Sequence, residues 1–402
     1  MPTLCTPDRC TGCGSCLNVC PKDAISMHPD SRGFLHPVIN PEECIECKLC
    51  EKSCPPILKD ISTNTILPEA FAAWHKDTNI RIASSSGGAF SALAEGVLKQ
   101  GGSVYGAAWE NSRKVVHKRI TEKNELALLR KSKYIPSEIN KIYRDVKTDL
   151  KNQRVVLFSG TPCQVSGLYA FLKNIDLSNL YTVDFICHGV PSPGLFDKYI
   201  SYIEKKVGKK VKSVDFRDKR LGVETNLLTV FKLEDDTTFV SRFNDNSFYR
   251  AFVENVALRT ACTKCTFNIM PRQADISLAD FRGLGTMDVF NFEKDRPLGF
   301  SGLLVNNLKG AKLIEMTDSI DFDPRQFEEL KSRQPLLTSP AHSADRADDF
   351  WKEYEKGASY SSLAHKYLKM PLRMRMMNIA RIVLGPKKYY WLSDTLRHIR
   401  QK

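Results

Sequence analysis

CTGCGSCLNVCP at residues 10–21 and CIECKLCEKSCP at residues 44–55 are one pattern written twice, Cys-x2-Cys-x2-Cys-x3-Cys-Pro, with cysteines at 10, 13, 16 and 20 and again at 44, 47, 50 and 54. This is the bacterial-type iron-sulfur run. Three closely spaced thiolates wrap three irons of one 4Fe-4S cubane, and a turn of small residues such as Gly12, Gly14 and Ser15 lets backbone amides approach its sulfides. The fourth ligand comes from elsewhere. In two-cluster ferredoxins the other run supplies it, so Cys10, Cys13, Cys16 and Cys54 are expected to hold one cluster and Cys44, Cys47, Cys50 and Cys20 the other. Zinc also accepts Cys-x2-Cys pairs, but its four ligands would leave most of each run unexplained. Residues 1–60 therefore read as a bacterial-type two-cluster ferredoxin domain of α+β class.

The rest of the chain sets this domain in context. Its 402 residues, 42% of them hydrophobic, are enough for two or three domains with a full core. Neither an apolar run of about 18 residues nor a charged-then-apolar leader is present, which points to the cytoplasm. There, thirteen cysteines read as metal ligands rather than disulfides. The net charge of +13 favours anionic partners in general without selecting one.

Residues 61–70 read as a polar linker. From Phe71 to about Phe281, short β-branched or aromatic runs alternate with amphipathic stretches, which predicts a mixed α/β domain with a largely parallel sheet. Strands are expected at Ser103 to Trp109, Arg154 to Phe158, Leu180 to Ile186, Val211 to Arg217, Leu227 to Leu233 and Thr238 to Arg242. Helices are expected at Gly88 to Lys99, Ser137 to Lys151 and Gly194 to Lys206. The division is 71–150 and 151–325 for the two regions of this domain, and 326–402 for a helical, basic tail.

Cys163 and Cys187 each follow an expected strand, so parallel neighbours would bring both to the carboxyl edge where open α/β sheets bind ligands. Cys262 and Cys265 add a Cys-x2-Cys pair and complete a set of four, leaving only Cys5 over. On spacing alone, a third cluster, a zinc site and buried thiols acting as small hydrophobes are all open. Ser84-Ser85-Ser86-Gly87-Gly88 leads into a helix and can be a phosphate loop or an ordinary N-cap. Gly283-Leu284-Gly285 lacks the third glycine and the strand-turn-helix setting of a dinucleotide fingerprint. Clusters pass single electrons whereas most organic acceptors need a hydride, so a reductase of this kind needs a converter such as a flavin.

An ordered series of motifs now becomes recognisable: SSSGGAF at 84–90, VYGAAW at 104–109, KSKYIPS at 131–137, FSGTPCQ at 158–164, DFICHGVPSP at 184–193, DFRDK at 215–219, Cys262 with Cys265, and DISLADF at 275–281. The series resembles the coenzyme F420 hydrogenase/dehydrogenase beta subunit family, in a form fused to an N-terminal two-cluster ferredoxin. The resemblance implies bound FAD and a third 4Fe-4S cluster on Cys163, Cys187, Cys262 and Cys265. It also implies that the Ser84, Ser85, Ser86, Gly87, Gly88 loop and Lys131, Ser132, Lys133, Tyr134 and Ser137 contact FAD, with the Ser159, Gly160, Thr161 turn beside it.

The expected function is electron transfer from a ferredoxin or another redox protein, through three clusters, to FAD and a small-molecule acceptor such as coenzyme F420. His188, next to Cys187, is the candidate proton donor; a hydrogen bond to cluster sulfide or simple packing are its other readings. The rival is a non-catalytic electron-relay subunit. Nucleic acid has no support beyond charge. In the tail, Arg373, Arg375, Arg381, Lys387 and Lys388 alternate with apolar residues between Met370 and Leu392. Docking on protein is favoured there over a membrane surface, because Gly385-Pro386 breaks the helix.

Overall fold

The computed structural model describes residues 1–58, 64–219, 228–242, 245–370 and 376. The two cysteine runs flank an antiparallel hairpin, β1 (Ile25–Pro29) and β2 (Leu35–Ile39). Its turn closes because Asp30 accepts hydrogen bonds from the amides of Arg32 and Phe34, and because Gly33 takes a φ of +82°. Short helices at Ser15–Val19 and Leu49–Lys52 carry the third cysteine of each run.

The remainder is built on β3 (Glu69–His75), β4 (Ser103–Asn111), β5 (Lys114–Ile120), β6 (Ser137–Glu138), β7 (Val156–Ser159) and β8 (Leu180–Phe185). After them come β9 (Val211–Asp218), β10 (Leu228–Leu233), β11 (Thr238–Arg242), β12 (Ile276–Asp280), β13 (Ser301–Val305) and β14 (Ile320–Arg325). Nine of these form one sheet in the order β14-β3-β13-β12-β8-β7-β4-β5-β6, while β11-β10-β9 form a separate antiparallel sheet. The 71–150 and 151–325 segments thus contribute strands to the same sheet.

The expectation of a largely parallel sheet needs correcting. β12, β8, β7 and β4 run parallel at the centre, but β13 pairs antiparallel with β12 and β3, β14 with β3, and β5 with β4. Side-chain alternation reports which face a residue occupies, and it is the same for either strand direction. Helices Ala89–Lys99 and Leu308–Glu315 cover one face of the sheet, and Ile142–Lys151 and Pro162–Phe171 cover the other.

The helix expected from Ser137 starts later. Ser137 and Glu138 pair with Val115 and Val116, Asn140 turns the chain with φ +47°, and the helix begins at Ile142. This local break attaches the ferredoxin domain. Asn18 Nδ2 donates to the Asn140 carbonyl at 2.7 Å, the Arg144 guanidinium to the carbonyls of Asn18 (2.9 Å) and Cys20 (2.8 Å), and the Tyr143 hydroxyl to the Cys13 carbonyl at 2.8 Å.

The described part of the 61–70 linker, residues 64–70, is tied to the sheet domain. Asn64 bonds to the Arg272 and Ala274 carbonyls, and β3 already begins at Glu69. In the tail region the chain forms helices Ala347–Glu355 and Tyr360–Tyr367, but the basic stretch with Arg373, Arg375, Arg381, Lys387 and Lys388 lies outside the described residues. Among the described residues no helix is long and apolar enough to cross a membrane.

Candidate functional site

The first cysteine run gathers around buried thiols. Gly12 and Gly14 take φ of +71° and +75°, which an L side chain rarely adopts, and so wrap the loop tightly. Burial raises the Cys54 thiol, and the neighbouring thiols of Cys13, Cys5 and Cys16 raise it further. Cys54 thus stands with the first run rather than its own. Cys20, Cys44, Cys47 and Cys50 together line a separate small cavity, with Pro2, Leu49 and Ile45 at its wall. In the first group Cys10, Cys13 and Cys54 are buried, whereas in the second only Cys50 is buried and Cys47 is exposed, so the second group lies nearer the solvent.

The first run meets the sheet domain directly. Helix Pro162–Phe171 packs on it so closely that a Cβ on Gly167 would lie 3.1 Å from Cys13 Sγ. That helix starts with a capping box between Thr161 and Gln164, and Cys163 sits in its first turn just past β7. Cys187 follows the parallel neighbour β8, and Cys262 and Cys265 come from the loop around the short helix Thr260–Thr263. All four line one cavity of about 810 Å³. Burial pushes Cys262 up to about 11, with Cys265 adding to it, and pushes Cys163 and Cys187 higher still. Four partly buried thiols on one cavity, three of them raised by their neighbours, suit a polycationic core that would take them as thiolates. Backbone amides already aim at the sulfurs, from Gly189 to Cys187 and from Phe267 to Cys265, both at 3.4 Å. Among the described residues no group of three or more His, Cys, Asp or Glu closes on a single ion.

Beyond this set the same cavity is lined by Ser84, Ser85, Ser86, Gly88, Lys131, Ser132, Lys133, Tyr134, Ser137, Ser159, Gly160 and Thr161. Gly87 is absent from the lining; a Cβ there would lie 2.3 Å from the Ala73 carbonyl, so it lets the loop pack on β3. Not every hydroxyl is free for a ligand. Ser84 donates to the Ile80 carbonyl at 2.7 Å and Ser86 to Phe300 at 2.8 Å, whereas Ser85 accepts from the Ser132 amide at 2.8 Å and so joins two lining segments. Gly88, with φ +89°, caps helix Ala89–Lys99 without a side-chain hydrogen bond, and Ala89, Phe90 and Ser91 of its first turn line the cavity.

The DFRDK strand supplies the cations behind these loops. Lys131 pairs with Asp215, and Arg217 with Asp280 at 2.8 Å. Lys219 Nζ donates to the carbonyls of Arg81 (2.5 Å), Ser86 (2.6 Å) and Leu298 (2.8 Å). Lys133 Nζ is likewise bound by the carbonyls of Leu129, Arg130 and Lys131. Burial lowers both Lys219 and Lys133 to about 7.

Sequence reasoning missed His117. Its Nδ1 is 2.8 Å from Ser137 Oγ and its Nε2 3.0 Å from the Ser159 carbonyl, and the ring stacks on Phe158 at 5.2 Å. The imidazole thereby joins two lining segments; only its position opposite them, unreadable in one dimension, reveals this. Burial lowers it to about 4 from an ordinary 6.5. Because the folded value lies below the unfolded one, its contribution is complete above about pH 6.5 and is lost as pH falls toward about 4. Between pH 7 and 5 the wild-type chain is expected to lose about 2 kcal/mol more than His117→Gln. Urea midpoints at the two pH values measure this, and equal pH slopes would refute it.

His188 also lines the cavity, but its Nε2 lies 2.7 Å from Asn255 Oδ1 and its ring is edge-on to Phe252 at 4.8 Å. Burial lowers its pKa. The Gly283-Leu284-Gly285 loop is filled from within: the Glu329 carboxylate accepts from the Gly285 and Thr286 amides at 2.6 and 3.1 Å.

Residues 153–326 match the family model for the C terminus of the coenzyme F420 hydrogenase/dehydrogenase beta subunit, and residues 9–56 match the 4Fe-4S dicluster domain. An uncharacterised ferredoxin of Methanocaldococcus jannaschii is 35% identical over 72 residues, which is 18% of this chain and 83% of that protein. Ferredoxin-1 of Caulobacter vibrioides is 42% identical over 55 residues, 13% of this chain and 44% of that protein. The chain spans 38% of a polyferredoxin-like protein of M. jannaschii, at 36% identity over 63 residues. A chain in the xenon-derivatised structure of the F420-reducing NiFe hydrogenase complex from Methanosarcina barkeri is 15% identical, with TM-score 0.46, covering 74% of this chain and 94% of that one.

Proposed function

The chain joins a 4Fe-4S dicluster domain to the C-terminal domain of the coenzyme F420 hydrogenase/dehydrogenase beta subunit, and from that premise we propose an iron-sulfur flavoprotein oxidoreductase. It moves electrons between a ferredoxin-like donor, three 4Fe-4S clusters and FAD, with hydride transfer to or from a small acceptor such as coenzyme F420 or another organic substrate. The observation that carries this reading is the shared cavity: one space of about 810 Å³ is lined by Cys163, Cys187, Cys262 and Cys265 and by the Ser84, Lys131 and Ser159 segments.

The residues fit the groups they are assigned. The cavity falls within the roughly 300–1,000 Å³ typical of cofactor sites. Arg130 and Arg282 line it together with Lys131 and Arg217, which are paired with Asp215 and Asp280, and the helix start at Ala89, without a side-chain cap, adds amides, a combination suited to a pyrophosphate. FAD would supply the exchange between single electrons and a hydride. Lys219 and His117 hold the lining loops in place, and His188 is the candidate proton donor, provided that it leaves Asn255. Residues 1–60 are the electron-entry domain, with Cys20, Cys44, Cys47 and Cys50 facing the donor and Cys10, Cys13, Cys16 and Cys54 facing the sheet.

Iron, acid-labile sulfide and flavin content of the anaerobically purified chain, paired with reduction of its flavin by reduced ferredoxin, tests the reading. About twelve irons and one bleaching FAD per chain are expected. A flavin that is reduced yet turns over no acceptor would make the chain an electron relay. About eight irons without flavin would sink both the third cluster and the flavin site.

A further inference from the structure

Arg259 lies in the loop that leads to Cys262, and only 3% of it is exposed. Its Nε donates to the Cys10 carbonyl at 2.6 Å and its Nη2 to the Leu35 carbonyl at 2.7 Å, with Cys10 Sγ 3.6 Å away. The guanidinium lies over the Phe34 ring, 5.3 Å from its centroid, and fills the space beside Gly12, where a Cβ would come within 2.8 Å of Nη1. His36, whose Nδ1 is 3.5 Å from Nη2, is held toward its neutral form by burial and by this same charge. Arg259 is also part of the cavity lining, next to Cys262.

Its surroundings lack an obvious counter-charge. Three other buried arginines reach a carboxylate: Arg272 and Arg217 at 2.8 Å from Asp184 and Asp280, and Arg81 at 4.0 Å from Asp295. Among the described residues, no carboxylate stands within 4.0 Å of Arg259. A buried full charge met by carbonyls, a ring and a thiol but by no opposite charge is costly, so the site calls for an anion. The sulfur that it meets is Cys10 Sγ, and along the chain it stands three residues before Cys262, beside which it lines the cavity.

We propose that Arg259 is the counter-charge of the inner ferredoxin cluster, stabilising that cluster's reduced form at the junction between the ferredoxin domain and the cavity. The proposal rests on the cluster assignment made above. Reduction adds one electron to the cluster and makes or breaks no bond, so the guanidinium acts only through its field and its hydrogen bonds. Both raise the reduction potential.

Redox titration monitored by electron paramagnetic resonance tests it on Arg259→Met, Arg259→Gln and Arg259→Lys, each checked for iron content. In either neutral variant the ratio of reduced to oxidised inner cluster at a fixed poise should fall about tenfold, a downward shift of about 59 mV for a one-electron couple. Arg259→Lys should recover most of this shift. Loss of inner-cluster iron in both neutral variants but not in Arg259→Lys also supports a counter-charge, expressed at assembly. An unmoved potential in a fully loaded neutral variant overturns the proposal, as does loss of the cluster in all three variants. Absence of an inner-cluster signal from the wild-type chain would instead remove the cluster assignment.

Discussion

Replacing Arg272 by methionine is expected to destabilise the protein by about 3–5 kcal/mol, the usual cost of breaking a fully buried ion pair from one side. Arg272 and Asp184 are each 1% exposed, with Nη2 2.8 Å from Oδ2, and Asp184 ends the buried part of β8. Without the guanidinium, a carboxylate is left uncompensated in the core. Burial already raises the Asp184 pKa despite the pair. The loss should spread, because the Arg272 carbonyl accepts from Asn64 and its side chain reaches the Phe267 and Phe185 carbonyls at 3.4 Å. Cys187 and Cys265 are the nearest cysteines to those anchors in the chain. Urea midpoints measure the effect, and adding Asp184→Asn to Arg272→Met should restore much of it by removing the stranded charge. A midpoint unchanged in the single variant would mean that the segment is held by packing alone.

Cys54→Ala, made together with Cys5→Ala, is expected to remove about four irons and, on the function proposed above, to cut electron passage from reduced ferredoxin to the proposed flavin. Cys54 belongs by position to the second run, yet the thiols that act on it are Cys13, Cys5 and Cys16. Cys5 lies near enough to Cys54 and Cys10 for them to act on its thiol, so it must be removed lest it substitute as a ligand. The group of Cys20, Cys44, Cys47 and Cys50 is left whole and should keep its iron. Iron content of the double variant against Cys5→Ala, with the rate of flavin bleaching, decides the matter. Full iron content, or undiminished bleaching, would show that Cys54 is not the crossed ligand.

The cysteine runs were legible because ligation to a cubane demands a fixed local spacing, and a local demand is written directly into residue order. For the same reason the strands at Ser103 and Thr238 and the helix ending at Lys99 could be read from their alternation and their turn residues. The pairing of Cys163 with Cys187 was accessible at one remove, since each follows a strand and β7 and β8 are parallel neighbours. The Ser137 helix start was misread because Asn140 bends the chain to meet Asn18, an attachment 122 residues away that leaves no local mark.

Residue order alone determines the repeated ligand pattern, the number of cysteines open to metal, and the alternation of apolar runs that requires an α/β core. The mixed sheet directions, the bond from His117 to Ser159, the grip of Lys219 on Ser86 and the place of Arg259 against Cys10 were decided only in three dimensions. Each of these is a contact between residues far apart in the chain, made in a desolvated interior where a buried charge or polar group must find a partner. That requirement selects the partner by geometry, and sequence spacing carries no trace of it.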